Sequence, residues 1–217
     1  MIGMDSIWAK TSPYMSLQTH LLTTGICAQK YLMAHSSEAI TTYLAEKLST
    51  TPNGAVAQVS YLCAVHDIGK AHPSFQQKDP LWARRIGFNR DELKLDRELF
   101  RDQFRHEYYS AEVMKRIWKQ KGIPVQNRML WATVLSLHHQ KSLRDRSSLS
   151  DPRHPDWIML QDALEKEMSD IFLGNEALTC PASTDAVCML VTSLIILSDW
   201  VASSELMEDA EGHEQSL

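Results

Sequence analysis

The stretch AVAQVSYLCAVHDIGK, residues 55–70, decides how the rest of the chain is read. Its apolar residues recur at helical spacing, with Val59, Leu62, Cys63 and His66 facing one way, so a helix is predicted over Ala55–Ile68. Gly69 ends it and Pro73 forces a new direction. Neighbouring residues stand about 100° apart around a helix axis, so His66 and Asp67 cannot both enter the core from a regular helix. At a helix end, beside a shared cation, both can reach one point. The imidazole supplies a nitrogen ligand, and the carboxylate supplies oxygens able to bridge two metals. Gly69 is expected to turn the chain sharply with no Cβ in the way. Lys70, one turn beyond His66, can reach back toward the same point.

Working outward, helical periodicity dominates and β-branched alternation is scarce. Helices are predicted over Leu17–Ala34, from a Ser37 cap through Leu48, and over His106–Lys121, Val125–His138, Asp156–Leu173 and Thr184–Met207. Pro52, Asn53 and Gly54 read as a turn, 71–103 as short helices and loops, and 142–155 as a polar loop. The expected fold is all-α, one compact helical bundle over residues 1–207, with a flexible acidic tail over 208–217.

In 217 residues, 44% hydrophobic and 23% charged, there is enough chain for one substantial domain with a real core or for two small ones. The longest apolar run, Ala186–Leu197, is too short to span a bilayer, and no export signal is evident. Cys27, Cys63, Cys180 and Cys188 form no CxxC pair, which fits reduced thiols in the cytoplasm. A net charge of −5 argues against a general DNA-coating surface. Bound divalent cations would nonetheless supply positive potential where a phosphate must sit. The local basic clusters are Arg84, Arg85 and Arg90; Arg97, Arg101 and Arg105; Lys115, Arg116, Lys119 and Lys121; and Lys141, Arg144, Arg146 and Arg153. They read first as solvated faces.

Polar residues intrude elsewhere on apolar faces. His20 interrupts its stripe, His106 opens a helix, His138 and His139 end one, and Asp199 follows Cys188, Thr192 and Ile195. Each alone has a plainer reading. A lone core histidine is commonly just hydrogen-bonded, Asp199 could accept from Trp8, Trp131 or a backbone amide, and Lys70 could be a solvated helix-end charge. His35, His72, His154 and His213 lie in polar or terminal contexts and keep that plainer reading. One metal centre accounts for the joint occurrence of the rest.

The order His20, His66-Asp67-Ile68-Gly69-Lys70, His106, His138-His139, Asp199 resembles the HD nuclease domain of the type I CRISPR-associated helicase-nuclease, within the HD superfamily. Trp8-Ala9-Lys10, Phe75-Gln76, Arg105-His106-Glu107 with Ser110-Ala111, and Ser198-Asp199-Trp200-Val201-Ala202-Ser203 extend the likeness over residues 8–204. Gln140 departs from it, standing where the family often has Gly. The resemblance implies that His20, His66, Asp67 and Asp199 hold one metal, and that Asp67, His106, His138 and His139 hold a second. It also implies Lys70 as a catalytic group beside Asp67, offsetting phosphate charge or protonating the leaving group. Mixed nitrogen and oxygen ligands favour two ions of Mn, Fe, Co or Ni, with Mg possible. The implied substrate is single-stranded DNA, delivered by a CRISPR helicase module and a guide-RNA surveillance complex, with no membrane involved. The chain carries no Gly-rich phosphate-binding loop, so a stand-alone subunit and an excised domain are both compatible with it. Two rivals share some of these features: an HD phosphohydrolase acting on nucleotides or cyclic oligonucleotides, and a non-catalytic helical adaptor.

Overall fold

At the centre lies α3 (Pro52–Val65), buried along nearly its whole length. A helix apolar all round has no solvent face and must be enclosed by others. It begins three residues earlier than predicted. Pro52 does not turn the chain but occupies the first helical position, where its missing N–H costs nothing, while Thr51 caps the helix by accepting from the Gly54 amide at 3.0 Å.

The computed structural model describes residues 3–85, 104–139, 155–181 and 185–204. A short antiparallel hairpin, β1 (Trp8–Thr11) and β2 (Tyr14–Ser16), precedes α1 (Leu17–Met33), which Ser16 caps. There follow α2 (Glu38–Lys47), α3, a tight 3-10 turn over Ile68–Lys70, α4 (Pro73–Gln76), α5 (Pro80–Arg85), α6 (His106–Gln120), α7 (Val125–Ser136), α8 (Pro155–Met168) and α9 (Asp185–Ala202). The helical expectation therefore holds, and the hairpin is the addition to it. α8 runs on through a wider helical turn, Ser169–Leu173, to Gly174 at φ 57°.

α1 packs against α3 and α9, and α6 packs against α7 and the 3-10 turn. Close approach of α1 to α3 depends on Gly25, where a Cβ would collide with the Phe172 ring and with Ala64 Cβ. On α6, Lys115 pairs with Glu112, Arg116 with Asp162, and nearby Lys121 with Glu165, in keeping with an ion-paired face. Arg90, Arg97, Arg101, Gln140, Lys141, Arg144, Arg146, Arg153, His154 and His213, the loop over 142–154 and the tail over 208–217 lie outside the described residues. All four cysteines are free. Among the described residues, no helix is long and apolar enough to cross a membrane.

Candidate metal centre

α3 ends at Val65. His66 keeps helical angles (φ −58°, ψ −35°), and Asp67 departs from them (φ −108°, ψ 13°) as the chain enters the 3-10 turn. This change of direction lets two successive side chains face one interior point, both essentially buried. His20 meets them from the buried face of α1, and His106 from the first position of α6. His138 and His139 come from the turn after α7, and Asp199 from the last turn of α9.

The two oxygens of Asp67 divide the ligands between them. On the Oδ2 side, His20 Nε2 lies at 3.1 Å and His66 Nε2 at 3.4 Å. Asp199 Oδ1 joins this group, 3.4 Å from His20 Nε2 and 3.7 Å from His66 Nε2. On the Oδ1 side, His106 Nε2 lies at 3.1 Å and His138 Nε2 at 3.3 Å. His139 Nε2 is 3.0 Å from His106 Nε2. Within each foursome, the ligand atoms fall within 4.8 Å of one another. All seven candidate ligands thus converge, in the two groups expected.

The donor set suits cations. Nδ1–H of His66 donates to the Cys63 carbonyl at 2.8 Å, and that of His138 to the Leu135 carbonyl at 2.6 Å. Each bond leaves the Nε2 lone pair aimed inward, the arrangement metal-binding imidazoles use. Those two Nε2 atoms and Asp67 Oδ1 are buried without a hydrogen-bond partner among the described residues. Buried polar atoms in that condition are costly unless something charged satisfies them. Neither tryptophan serves Asp199, because Trp8 Nε1 donates to the Gln76 carbonyl and Trp131 Nε1 to that of Thr179, while Ser203 Oγ donates to Asp199 Oδ1 at 3.3 Å.

Electrostatics separate the histidines. Burial disfavours charge on His66, but the carboxylates of Asp67 and Asp199 outweigh it and hold its pKa at about 10, so a cation binding at its Nε2 would have to displace a proton there. Burial lowers His20 and His106, and with His138 and His106 nearby it takes His139 down to about 4. Burial would raise both carboxyls. Lys70, His66 and His106 nevertheless hold Asp67 well below the usual range, and His66 does the same for Asp199. Lys70 Nζ sits 2.6 Å from Asp67 Oδ2, so in this structure it faces the carboxylate.

A supporting shell was visible in sequence only as pattern. Gln76 Oε1 accepts from the Trp8 amide at 3.1 Å, and its Nε2 donates to the Trp8 and Lys70 carbonyls at 2.9 Å each. That clamps the hairpin to the 3-10 turn. Lys10 Nζ donates to the Ser203 carbonyl at 2.6 Å, tying β1 to the end of α9 beyond Asp199. Phe75 packs edge-on to His106, with ring centroids 5.2 Å apart. Gly69 lies in the 3-10 turn without a positive φ, and its bare Cα also serves close approach to α6. His72 keeps its plainer reading, hydrogen-bonded and outside both ligand groups, but its surroundings are not polar: it is fully buried between Phe104 and Tyr109.

A family model described as "Cas3, HD domain" matches residues 8–207. The CRISPR-associated endonuclease/helicase Cas3 of Thermus thermophilus is 28% identical over 213 residues, an alignment covering 91% of this chain and 22% of that protein. The chain therefore spans under a quarter of the curated relative's length. Among solved structures, the Thermus thermophilus Cas3 HD domain in the presence of Ni2+ is 25% identical, with a TM-score of 0.65, covering 93% of this chain and 78% of that one. A chain of a CRISPR RNA-guided surveillance complex in a pre-nicking state is 22% identical, with a TM-score of 0.74, covering 95% of this chain and 25% of that one. With a family match over nearly its whole length, this chain belongs to the HD-domain family of Cas3.

Proposed function

We propose that the chain is a metal-dependent nuclease that hydrolyses phosphodiester bonds of single-stranded DNA in type I CRISPR interference, in the cytoplasm. It would work with a helicase module, in the same chain or a separate subunit, and with a guide-RNA surveillance complex. The observation that carries the reading is the division of ligands across Asp67, whose two oxygens each face a separate group of donors. The curated relative, an endonuclease/helicase, and the surveillance-complex chain of similar fold support the partners.

In this reading, His20, His66, Asp67 and Asp199 hold one ion, and Asp67, His106, His138 and His139 hold the other. Imidazole-rich sites of this kind favour Mn, Fe, Co or Ni over Mg, which prefers oxygen and water. Two such ions, when bound, supply Lewis acidity to phosphate oxygens and lower the pKa of a water at neutral pH. The protein's own groups do the rest. Backbone-anchored His66 and His138 keep their tautomers fixed, so their Nε2 lone pairs stay inward without reorganisation. Buried Asp67 and half-buried Asp199 supply the negative charge that keeps the site selective for cations. Lys70 Nζ, 12% exposed beside Asp67, stands at the rim, where its ammonium can meet a phosphate oxygen or give a proton to a departing deoxyribose oxygen.

The test is to load purified protein with Mn, Fe, Co, Ni or Mg and offer it single-stranded DNA, duplex DNA and a nucleotide panel, beside Asp67→Ala. Metal-dependent loss of single-stranded DNA, abolished in the variant, is expected. Turnover of nucleotides alone would reassign the site to a phosphohydrolase, and identical behaviour of the two proteins would leave the reading without support.

A further inference from the structure

Beyond the ligands, a run of cationic and aromatic groups leads outward from Asp67. Lys70 Nζ touches Asp67 and also stands 5.6 Å above the Phe75 ring. Lys78 Nζ stands 4.8 Å from the same ring, with Lys78 exposed. Phe75 in turn packs on Trp8 with ring centroids 4.6 Å apart, and Trp8 begins the hairpin. At the hairpin's far end, roughly 10 Å along β1 at strand spacing, Tyr14 stacks on Trp82 of α5. Their centroids are 4.2 Å apart and their planes 16° from parallel. Asp79 Oδ1 accepts from the Leu81 and Trp82 amides at 2.9 and 3.2 Å, capping α5 and fixing Trp82 in place. Tyr14 remains 42% exposed and Leu81 71%.

Two neighbouring lysines on one ring, followed by an ordered and solvent-facing aromatic stack, match the pattern of single-strand binding. In such sites, ammonium groups follow the phosphates and bases stack on rings without reading sequence. An aromatic stack kept only to pin α5 to the hairpin would be expected to be enclosed, whereas here Tyr14 is exposed and Trp82 half-buried. We propose that Lys78 and the Tyr14–Trp82 stack form a strand-binding track that holds the DNA flanking the scissile phosphate. This rests on the nuclease reading above.

The experiment uses the full chain. First, Tyr14→Ser, Tyr14→Phe and Lys78→Glu are compared with wild type on single-stranded DNA and on bis(4-nitrophenyl) phosphate, a phosphodiester too small to reach the track. Stacking losses of this kind weaken binding roughly 10- to 100-fold. Tyr14→Ser and Lys78→Glu should raise KM for DNA about that much while leaving turnover of the small diester unchanged, and Tyr14→Phe should resemble wild type. Second, Asp67→Ala protein is irradiated with 5-iodouracil-substituted single strands, and the adducts are mapped to peptides containing Tyr14 or Trp82. Unchanged KM in both variants, or crosslinks confined to other peptides, overturns the track. If wild type hydrolyses the small diester but no DNA, it is the nuclease reading that fails.

Discussion

The amide of Gly69 donates to Ser110 Oγ at 2.9 Å, and the chain there runs so close to α6 that a Cβ on residue 69 would strike the His106 carbonyl and the Ser110 amide. The obstruction is backbone, which cannot swing aside as a flexible side chain would. Gly69→Ala must therefore push α6 outward from its first turn, carrying His106 with it. The expected cost is about 1–3 kcal/mol of stability. The more telling outcome is selective loss of the ion on the His106 side, read as a fall in bound metal from two per chain to one. A variant that keeps both ions would show that α6 tolerates the methyl group.

Among the described residues, Asp67 is the one shared by the two groups of donors, so on the proposed two-ion reading the ligands should fail in an ordered way. His139→Ala removes an exposed member of one group and Asp199→Ala a half-buried member of the other. Each should retain one ion after gel filtration, measured by elemental analysis. Asp67→Ala should retain none. If Asp67→Ala holds as much metal as either single variant, the shared carboxylate is not the bridge.

The same contrast shows what the chain made legible and what it did not. Histidines and aspartates interrupting apolar stripes are expensive to bury alone, so His20, His66, Asp67, His106, His138 and Asp199 could be read as one cluster before any geometry, whereas exposed His139 joins them only through the family resemblance. Residues whose role depends on distant neighbours could not be read. His72 sits between Lys70 and Pro73 and looks exposed, yet its burial is made by Phe104 and Tyr109, some 30 residues away in sequence. The hairpin eluded pattern reading because its strands have four and three residues and are held by groups distant in sequence, Gln76, Trp82 and Ser203 among them. Gly69 reads as a turn residue, and its second role, the close approach to α6, is not legible, since a close approach and a turn leave the same mark in sequence.

Gln76 therefore carries a prediction of its own. Gln76→Leu preserves bulk but strands the Trp8 amide and takes a donor from the Trp8 and Lys70 carbonyls, of which the Lys70 carbonyl keeps the His72 amide at 2.8 Å. Buried groups left unpaired cost about 1–3 kcal/mol each, less where water enters. A loss of about 3 kcal/mol in total, or roughly 6–12 °C in Tm for a chain of this size, is expected. Because the hairpin would come free, trypsin should cut after Lys10 much faster than in wild type. An unchanged cleavage rate would mean that other contacts hold the hairpin.

His72 gives a pH dependence separate from the metal ligands. Its Nδ1 accepts from the Ser74 amide at 3.0 Å, and its ring lies against Phe104 and Tyr109. Burial pushes its pKa down to about 3, against 6.5 for a free imidazole. Below pH 6.5 the unfolded chain takes up a proton here that the folded chain refuses. Stability is thus lost as pH falls, by up to about 1.4 kcal/mol per pH unit, until the folded group titrates near 3. His72→Asn keeps an acceptor for the Ser74 amide and cannot titrate. With chelator present throughout, denaturant unfolding at pH 7.5 and pH 5 should show wild type losing about 2 kcal/mol more than His72→Asn. Every other titrating group is common to both proteins, so it cancels in that difference. Parallel pH curves for the two would mean that the imidazole accepts a proton without unfolding, and that Phe104 and Tyr109 do not seal it from water.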